Sequence, residues 1–322
     1  MGLITDIKGI KVGHFSDFEN ITGCTVILFG NQAAGAVDIR GGGTSTRQID
    51  GLLPHHNFGT VNAILLTGGS AYGLDAASGV MRYLEAKRTG LKVGSRSVVP
   101  SVPTAVIFDL GIGSSKVRPS AEFGYKACEN AKKLFEQGSV GVGTGATIGK
   151  YLGVKYATKG GLASESCTLT GGVNIGVIVV VNSFGSVYNY YEGNKCVAGI
   201  RDSKTGRFLD IPELIKKGVK QTTNTIRNTT LAVVATDANF SKEQLQRIAA
   251  IASTGISRVI NPCHTISDGD MVFTVSCGQK EAKINDVGIM ASELISHSII
   301  KAVKSAKGLG GVPSYSDLSG NN

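Results

Sequence analysis

The sequence has no HExxH pair, no Cys/His cluster at zinc spacing, no GxSxG elbow and no Walker loop, so the common motif-defined enzyme classes find no support in it. No apolar run is long enough to span a bilayer. The opening MGLITDIKGIKVGHF lacks the basic start, apolar middle and small-residue cleavage site of a signal peptide. A cytoplasmic protein without a membrane partner is the expectation. The six cysteines (Cys24, Cys128, Cys167, Cys196, Cys263 and Cys277) show neither CxxC spacing nor the density of a disulfide-stapled domain, and read as reduced, small core residues. In such a chain the N-x-S/T sequons at Asn20, Asn228 and Asn239 carry no glycan. No metal or organic cofactor is expected.

What is present is a globular composition. With 322 residues, 42% of them hydrophobic, the chain can bury the core of one large α/β domain or two ordinary ones. Its 44 glycines fall in GG and GxG turns without a fixed period, which excludes a collagen repeat. The formal charge of +9 comes from lysines and arginines scattered along the chain, with no basic stripe interleaved with aromatics, so no nucleic-acid partner is expected.

Apolar, β-branched runs (TVILF, NAILLTGG, NIGVIVVVNSFG, TLAVVATDA, MVFTVSCG) read as strands bounded by Gly, Asn, Asp or Ser. Helical spacing marks SAYGLDAASGVMRYLEAK; SAEFGYKACENAKKLFEQG, ending at Gly138; SKEQLQRIAAIASTGISRVI, capped by Ser241; and ASELISHSIIKAVKSA. Strands apolar on both faces and alternating with helices imply a layered α/β sandwich. The polar stretch 211–228 reads as an exposed loop leading into a buried strand at Leu231.

That loop ends on Asn228-Thr229-Thr230. A threonine hydroxyl needs a base, and no Ser/His/Asp order supplies one. The five histidines, His14, His55, His56, His264 and His297, share no pattern and read as structural or exposed. Cleavage before Thr229 would free an α-amine, with a reference pKa of about 7.7 to 8, to serve as base for its own hydroxyl. Asp268 and Asp270 in SDGD would orient that amine, and Asn182, ending VVVNSFG, is a candidate oxyanion donor. The same stretches also read as a turn, a loop and a strand-ending turn. The glycines of RGGGTSTR, LTGGSAYG and VGVGTGATIGK fit backbone approach to a small substrate or close packing; the last lacks the spacing of a phosphate loop.

In their order along nearly the whole chain, GIKVGHFSD, RGGGTSTRQID, LTGGSAYGLDAASGVMRYLE, VPSVPTAVIFDLGIG, GVGTGATIGK, KGGLASES, NTTLAVVATDA and DGDMVFTVS carry a resemblance. The chain resembles the self-processing aminopeptidases of the peptidase S58 type, which include L-aminopeptidase/D-esterases, β-peptidyl aminopeptidases and the nylon-oligomer hydrolase. The resemblance implies a four-layer αββα sandwich of the N-terminal-nucleophile-hydrolase type. It further implies a single domain over 1–322 that cleaves itself between Asn228 and Thr229 into chains 1–228 and 229–322, which stay together and assemble into a homo-oligomer. Thr229 would be the nucleophile, with Thr230 as the alternative register. Asp268 and Asp270 match the orienting pair, Asn182 the oxyanion asparagine, and Lys150 a site lysine, with Lys159 as competitor. Phe108 stands where several relatives carry a tyrosine, and Tyr151 is a candidate substitute for the lost phenol. The implied activity is hydrolysis of small peptides, amino-acid amides or ω-amino-acid oligomers, with acids near the nucleophile favouring an ammonium-bearing substrate. A non-processing binding module and an acyltransferase on the same fold are the alternatives.

Overall fold

A computed structural model of the chain describes residues 2–56, 59–95, 97–222 and 227–319, without the side chains of 31 and 32. Its nine principal strands are β1 (Ile10–Asp17), β2 (Thr22–Ile39), β3 (Thr46–Arg47), β4 (Thr60–Thr67), β5 (Thr104–Val106), β6 (Leu162–Thr168), β7 (Asn174–Asn182), β8 (Thr229–Ala238) and β9 (Met271–Lys280). They form one continuous ladder in the order β6-β7-β8-β9-β2-β4-β5-β3, with β1 also pairing β2. Pairs β8/β9 and β4/β5 are parallel, and the remaining pairs are antiparallel.

The ladder folds into two leaves because β2 serves both. Its first half pairs β1, its second half pairs β9, and a register shift between Leu28 and Ala33 separates the two. Alternation along the strands then builds three apolar layers. Val177, Val179 and Val181 of β7, with Ala232 and Val234 of β8, face helices α4 (Lys242–Ala252), α5 (Thr254–Val259) and α6 (Ile284–Ser305). Ile178, Val180, Leu231, Val233 and Phe273 face the other way, against Val12, Ile27, Ile64 and Leu66 of the second leaf. Beyond that leaf, Val26, Ala63 and Leu65 pack on α1 (Ala76–Ala86) and α2 (Ala121–Glu129). The result is the expected αββα sandwich, and it explains why the central strands are apolar on both faces.

Glycine brings the outer helices together. A Cβ on Gly79 would lie 1.7 Å from the Ala121 carbonyl oxygen, and one on Gly124 would lie 1.9 Å from that of Ala76, so backbone packs on backbone. Ser241 caps α4 through a reciprocal box with Gln244, as its position suggests.

Two expectations need correction. The helix expected to run to Gly138 stops at Glu129, because the free edge of β1 takes the next segment: Val12 and Lys132 exchange both backbone hydrogen bonds, at 3.1 and 3.0 Å. The helical pattern therefore holds for Phe123 and Ala127 and fails at Leu134, which is 78% exposed. The stretch 211–228 is not loop throughout, for Ile211–Lys216 forms α3, capped by the Asp210 carboxylate on the Glu213 N–H at 3.0 Å. Residues 223–226 of that stretch lie outside the described residues. All six cysteines are free. No helix among the described residues is long and apolar enough to cross a membrane.

Candidate active site

The site forms where the C-terminal end of β7 meets the adjacent N-terminal ends of the parallel strands β8 and β9. Asn182 and Thr229 are direct cross-strand partners. Both share the strand parity of Ile178, Val180, Leu231 and Val233, and so face the space between the leaves. Thr230 has the opposite parity, on the helix side, and its buried hydroxyl has no hydrogen-bond partner among the described residues. Of the two threonines, Thr229 alone lines a cleft of ≈ 270 Å³, with Gly42, Gly43, Thr44, Ser45, Ser70, Val106, Phe108 and Arg227.

The bond between Asn228 and Thr229 is held on both sides. The Asn228 carbonyl oxygen accepts the Thr229 hydroxyl at 2.5 Å and the Gly269 N–H at 2.7 Å. The Asn228 N–H donates to the Ser267 carbonyl at 2.9 Å. Two donors therefore converge on this oxygen and polarise the carbonyl.

Asp268 and Asp270 flank this bond but do not enter the cleft. Asp270 accepts the Thr230 N–H on one oxygen at 2.6 Å, and on the other the N–H and Nδ1 of His264 at 2.9 and 3.0 Å. Asp268 accepts the Thr265 N–H and hydroxyl at 3.0 and 2.6 Å and the Phe184 N–H at 3.4 Å. Burial, together with the nearby Asp270 charge, pushes the Asp268 carboxyl up to about 6 despite those donors. An incoming ammonium would meet neither carboxylate in the cleft wall, whose charged side chain is Arg227. The charge that faces the cleft is therefore a cation and not the expected acids.

Both candidate lysines are buried. Lys150 donates to the Asn182 side-chain oxygen at 2.8 Å, the Asn182 carbonyl at 3.0 Å and the Thr147 carbonyl at 2.6 Å. Desolvation drives its pKa well below the usual lysine range, with Asp268 and Asp109 partly opposing. Lys159 instead donates to the carbonyls of Gly143, Ala146 and Gly160, and desolvation lowers it to about 7 against the pull of Asp109. Lys150 thus binds Asn182, the cross-strand partner of Thr229, whereas Lys159 belongs to a neighbouring polar cluster with Asp109. The Tyr151 hydroxyl donates to the Val219 carbonyl at 2.8 Å and takes no place in the cleft, so it does not replace the phenol.

Of the two readings left open for the RGGGTSTR glycines, close packing holds, while Ser70 had not been singled out. The glycines of RGGGTSTR close on the SDGD loop: Arg40 and Gly41 donate to the Asp270 carbonyl, and Gly43 donates to the Asp268 carbonyl at 2.7 Å. A Cβ on Gly41 would lie 2.3 Å from that same Asp268 oxygen. Close packing explains this run. Ser70 lines the cleft in the left-handed region, at φ 53°, a conformation that a non-glycine residue adopts at a cost. Among the described residues no group of His, Cys, Asp and Glu is arranged to hold a metal ion.

The family model for peptidase family S58 matches residues 2–315. An uncharacterized aminopeptidase of Mycobacterium leprae is 40% identical, over 98% of this chain and 93% of its own length. A 6-aminohexanoate-oligomer endohydrolase of Kocuria sp. is 31% identical, over 93% of this chain and 85% of its own. The solved L-aminopeptidase D-Ala-esterase/amidase of Ochrobactrum anthropi, described as a variant of the Ntn hydrolase fold, superposes with a TM-score of 0.71 at 19% identity, covering 97% of this chain and 88% of that one.

Proposed function

The chain belongs to peptidase family S58 and is a hydrolase, and from that premise we propose that it is a self-processing amide hydrolase whose nucleophile is the N-terminal Thr229 released by its own cleavage. The observation that carries this reading is the pair of donors, Thr229 Oγ1 and Gly269 N–H, on the Asn228 carbonyl oxygen. In the processing step Thr229 Oγ1 adds to the Asn228 carbonyl carbon while Gly269 N–H stabilises the oxyanion. The C–N bond then breaks, the hydroxyl proton passes to the departing Thr229 nitrogen, and water hydrolyses the resulting Asn228 ester. Two chains, 1–228 and 229–322, result.

Turnover repeats the chemistry on a bound amide. The free α-amine of Thr229 takes the hydroxyl proton and returns it to the leaving amine, and water resolves the acyl-threonine ester. Asn182 supplies an N–H toward the oxyanion, Lys150 holds Asn182, and Asp268 and Asp270 fix the segment that carries the amine. The substrate class is a small peptide, an amino-acid amide or an ω-amino-acid oligomer. The oligomer reading draws on the Kocuria relative and on a cleft walled by the Thr44, Ser45 and Ser70 hydroxyls and the Arg227 cation.

Thr229→Ala tests the proposal: the chain should fold, stay intact and fail to hydrolyse 6-aminohexanoate oligomers, whereas Thr230→Ala should still split. Normal cleavage of Thr229→Ala would remove Thr229 as nucleophile. The Phe108 wall, which brings no phenol to the cleft, favours one second reading, a non-processing binding module. An intact wild-type chain that binds amides without turnover would support it.

A further inference from the structure

We propose that His264 is a positioning residue that aims the Asp270 carboxylate and thereby holds the start of β8, an inference that rests on Thr229 being the nucleophile. His264 grips one Asp270 oxygen twice, from its backbone N–H at 2.9 Å and from Nδ1 at 3.0 Å. The other Asp270 oxygen is thereby turned to the Thr230 N–H, 2.6 Å away and one residue beyond the nucleophile. The double grip comes with a backbone in the left-handed region, at φ 58°, which histidine adopts only at a cost. A strained backbone beside a buried carboxylate is the signature of a residue over-determined by its surroundings. Burial alone would lower the imidazole pKa, but Asp270 and Cys263 outweigh it and hold it at about 10, so the protonated ring donates from Nδ1.

The other histidines have different surroundings. His14 sits between Thr25 and the Glu136 carbonyl, His297 stacks on Tyr191 at 4.0 Å, and His55 lies against His56. Among the described residues His264 is the histidine bound to a carboxylate of the site. After cleavage the only covalent anchor of Thr229 is Thr230, and the Thr230 N–H is held by Asp270. If that carboxylate tilts, the nucleophile loses its alignment while the cleft walls stay in place. The consequence falls on the chemical step.

Three variants of the full-length chain separate alignment from folding. His264→Gly relieves the left-handed backbone and removes the side-chain donor. His264→Asn places an amide N–H near the Nδ1 position and tolerates the same φ. His264→Asp is nearly isosteric with Asn but sets a second carboxylate against Asp270. The readouts are the rate of splitting during in vitro translation, kcat and KM of the processed protein on a linear 6-aminohexanoate oligomer, and thermal melting. The proposal predicts that the Gly and Asp variants split and turn over at least roughly tenfold more slowly with KM unchanged, and that Asn stays within about threefold of wild type. Wild-type rates in the Gly or Asp variant, or an Asn variant as slow as Gly, would overturn it. If the Gly variant does not fold, the Asn/Asp pair decides. Thr229→Ala in parallel reports on the premise alone, since splitting there refutes the nucleophile and leaves the His264 comparison separately readable.

Discussion

The Lys150 side-chain nitrogen lies 2.8 Å from the side-chain oxygen of Asn182, the residue directly across the strand pair from Thr229. The Thr147 N–H binds the same oxygen at 3.0 Å. Two donors on that oxygen settle which way the amide points, so its NH2 end faces the Phe108 carbonyl, 3.2 Å away, on the side of the cleft.

Lys150→Met should therefore keep the fold and lose rate. Methionine retains much of the apolar stem, and replacing a buried cation whose desolvation already drives its pKa far down leaves melting unchanged or raised. With one donor gone, the Asn182 amide is free to turn, and kcat should fall at least roughly tenfold, up to the roughly hundred- to thousandfold cost of losing an oxyanion donor outright. Steady-state kinetics beside a melting curve check this, and an unchanged kcat would detach Lys150 from the chemistry.

Gly269→Ala should stall self-cleavage. A Cβ there would lie 2.9 Å from Thr229 Oγ1 and 3.2 Å from the Gly43 carbonyl oxygen. The N–H that polarises the Asn228 carbonyl survives, but the hydroxyl is displaced from it, and a small misplacement of a nucleophile is expensive. Precursor should accumulate, with splitting at least roughly tenfold slower on a gel time course. Splitting at the wild-type rate would mean that the hydroxyl is not held where processing needs it.

The buried Lys159 makes a prediction about pH. Its folded pKa of about 7 lies below the ordinary lysine value of 10.5. Between those values the unfolded chain binds the proton and the folded chain does not, so this group adds stability as pH rises from 7 toward 10.5 and loses it as pH falls through 7. Lys159→Met abolishes that term. The melting-temperature advantage of the variant over wild type should be largest at pH 6 and shrink steadily to pH 10; a constant difference would contradict a depressed Lys159.

Phe108→Tyr restores a phenol to the cleft wall beside Thr229. A hydroxyl directed at the reacting carbonyl should raise kcat several-fold with little change in melting. An unchanged kcat would show that the site works without it.

Much of this architecture was legible because strand periodicity is strong. NIGVIVVVN and TLAVVATDA read as doubly buried strands and are β7 and β8, each facing helices on one side and the second leaf on the other. The same alternation separates Thr229 from Thr230 once the leaves are known, although the sequence alone left both open. Helical spacing misled at Ala131–Phe135, where backbone pairing of Lys132 with Val12 outcompetes another helical turn. The Asp210 cap and Pro212 in the first turn announced α3, a signal hidden by the polar stretch around it. The positions of His264, Ser70 and Gly269 beside Asp270, the cleft and Asn228 were illegible, because they come from backbone conformation and from contacts between loops distant in sequence.

Intact mass measurement of the purified, denatured wild-type protein tests the central claim most directly, since it reads the bond before Thr229. The account predicts two masses, those of 1–228 and 229–322, in equal amounts. A single mass of 33.4 kDa that persists on incubation would contradict self-processing at this bond.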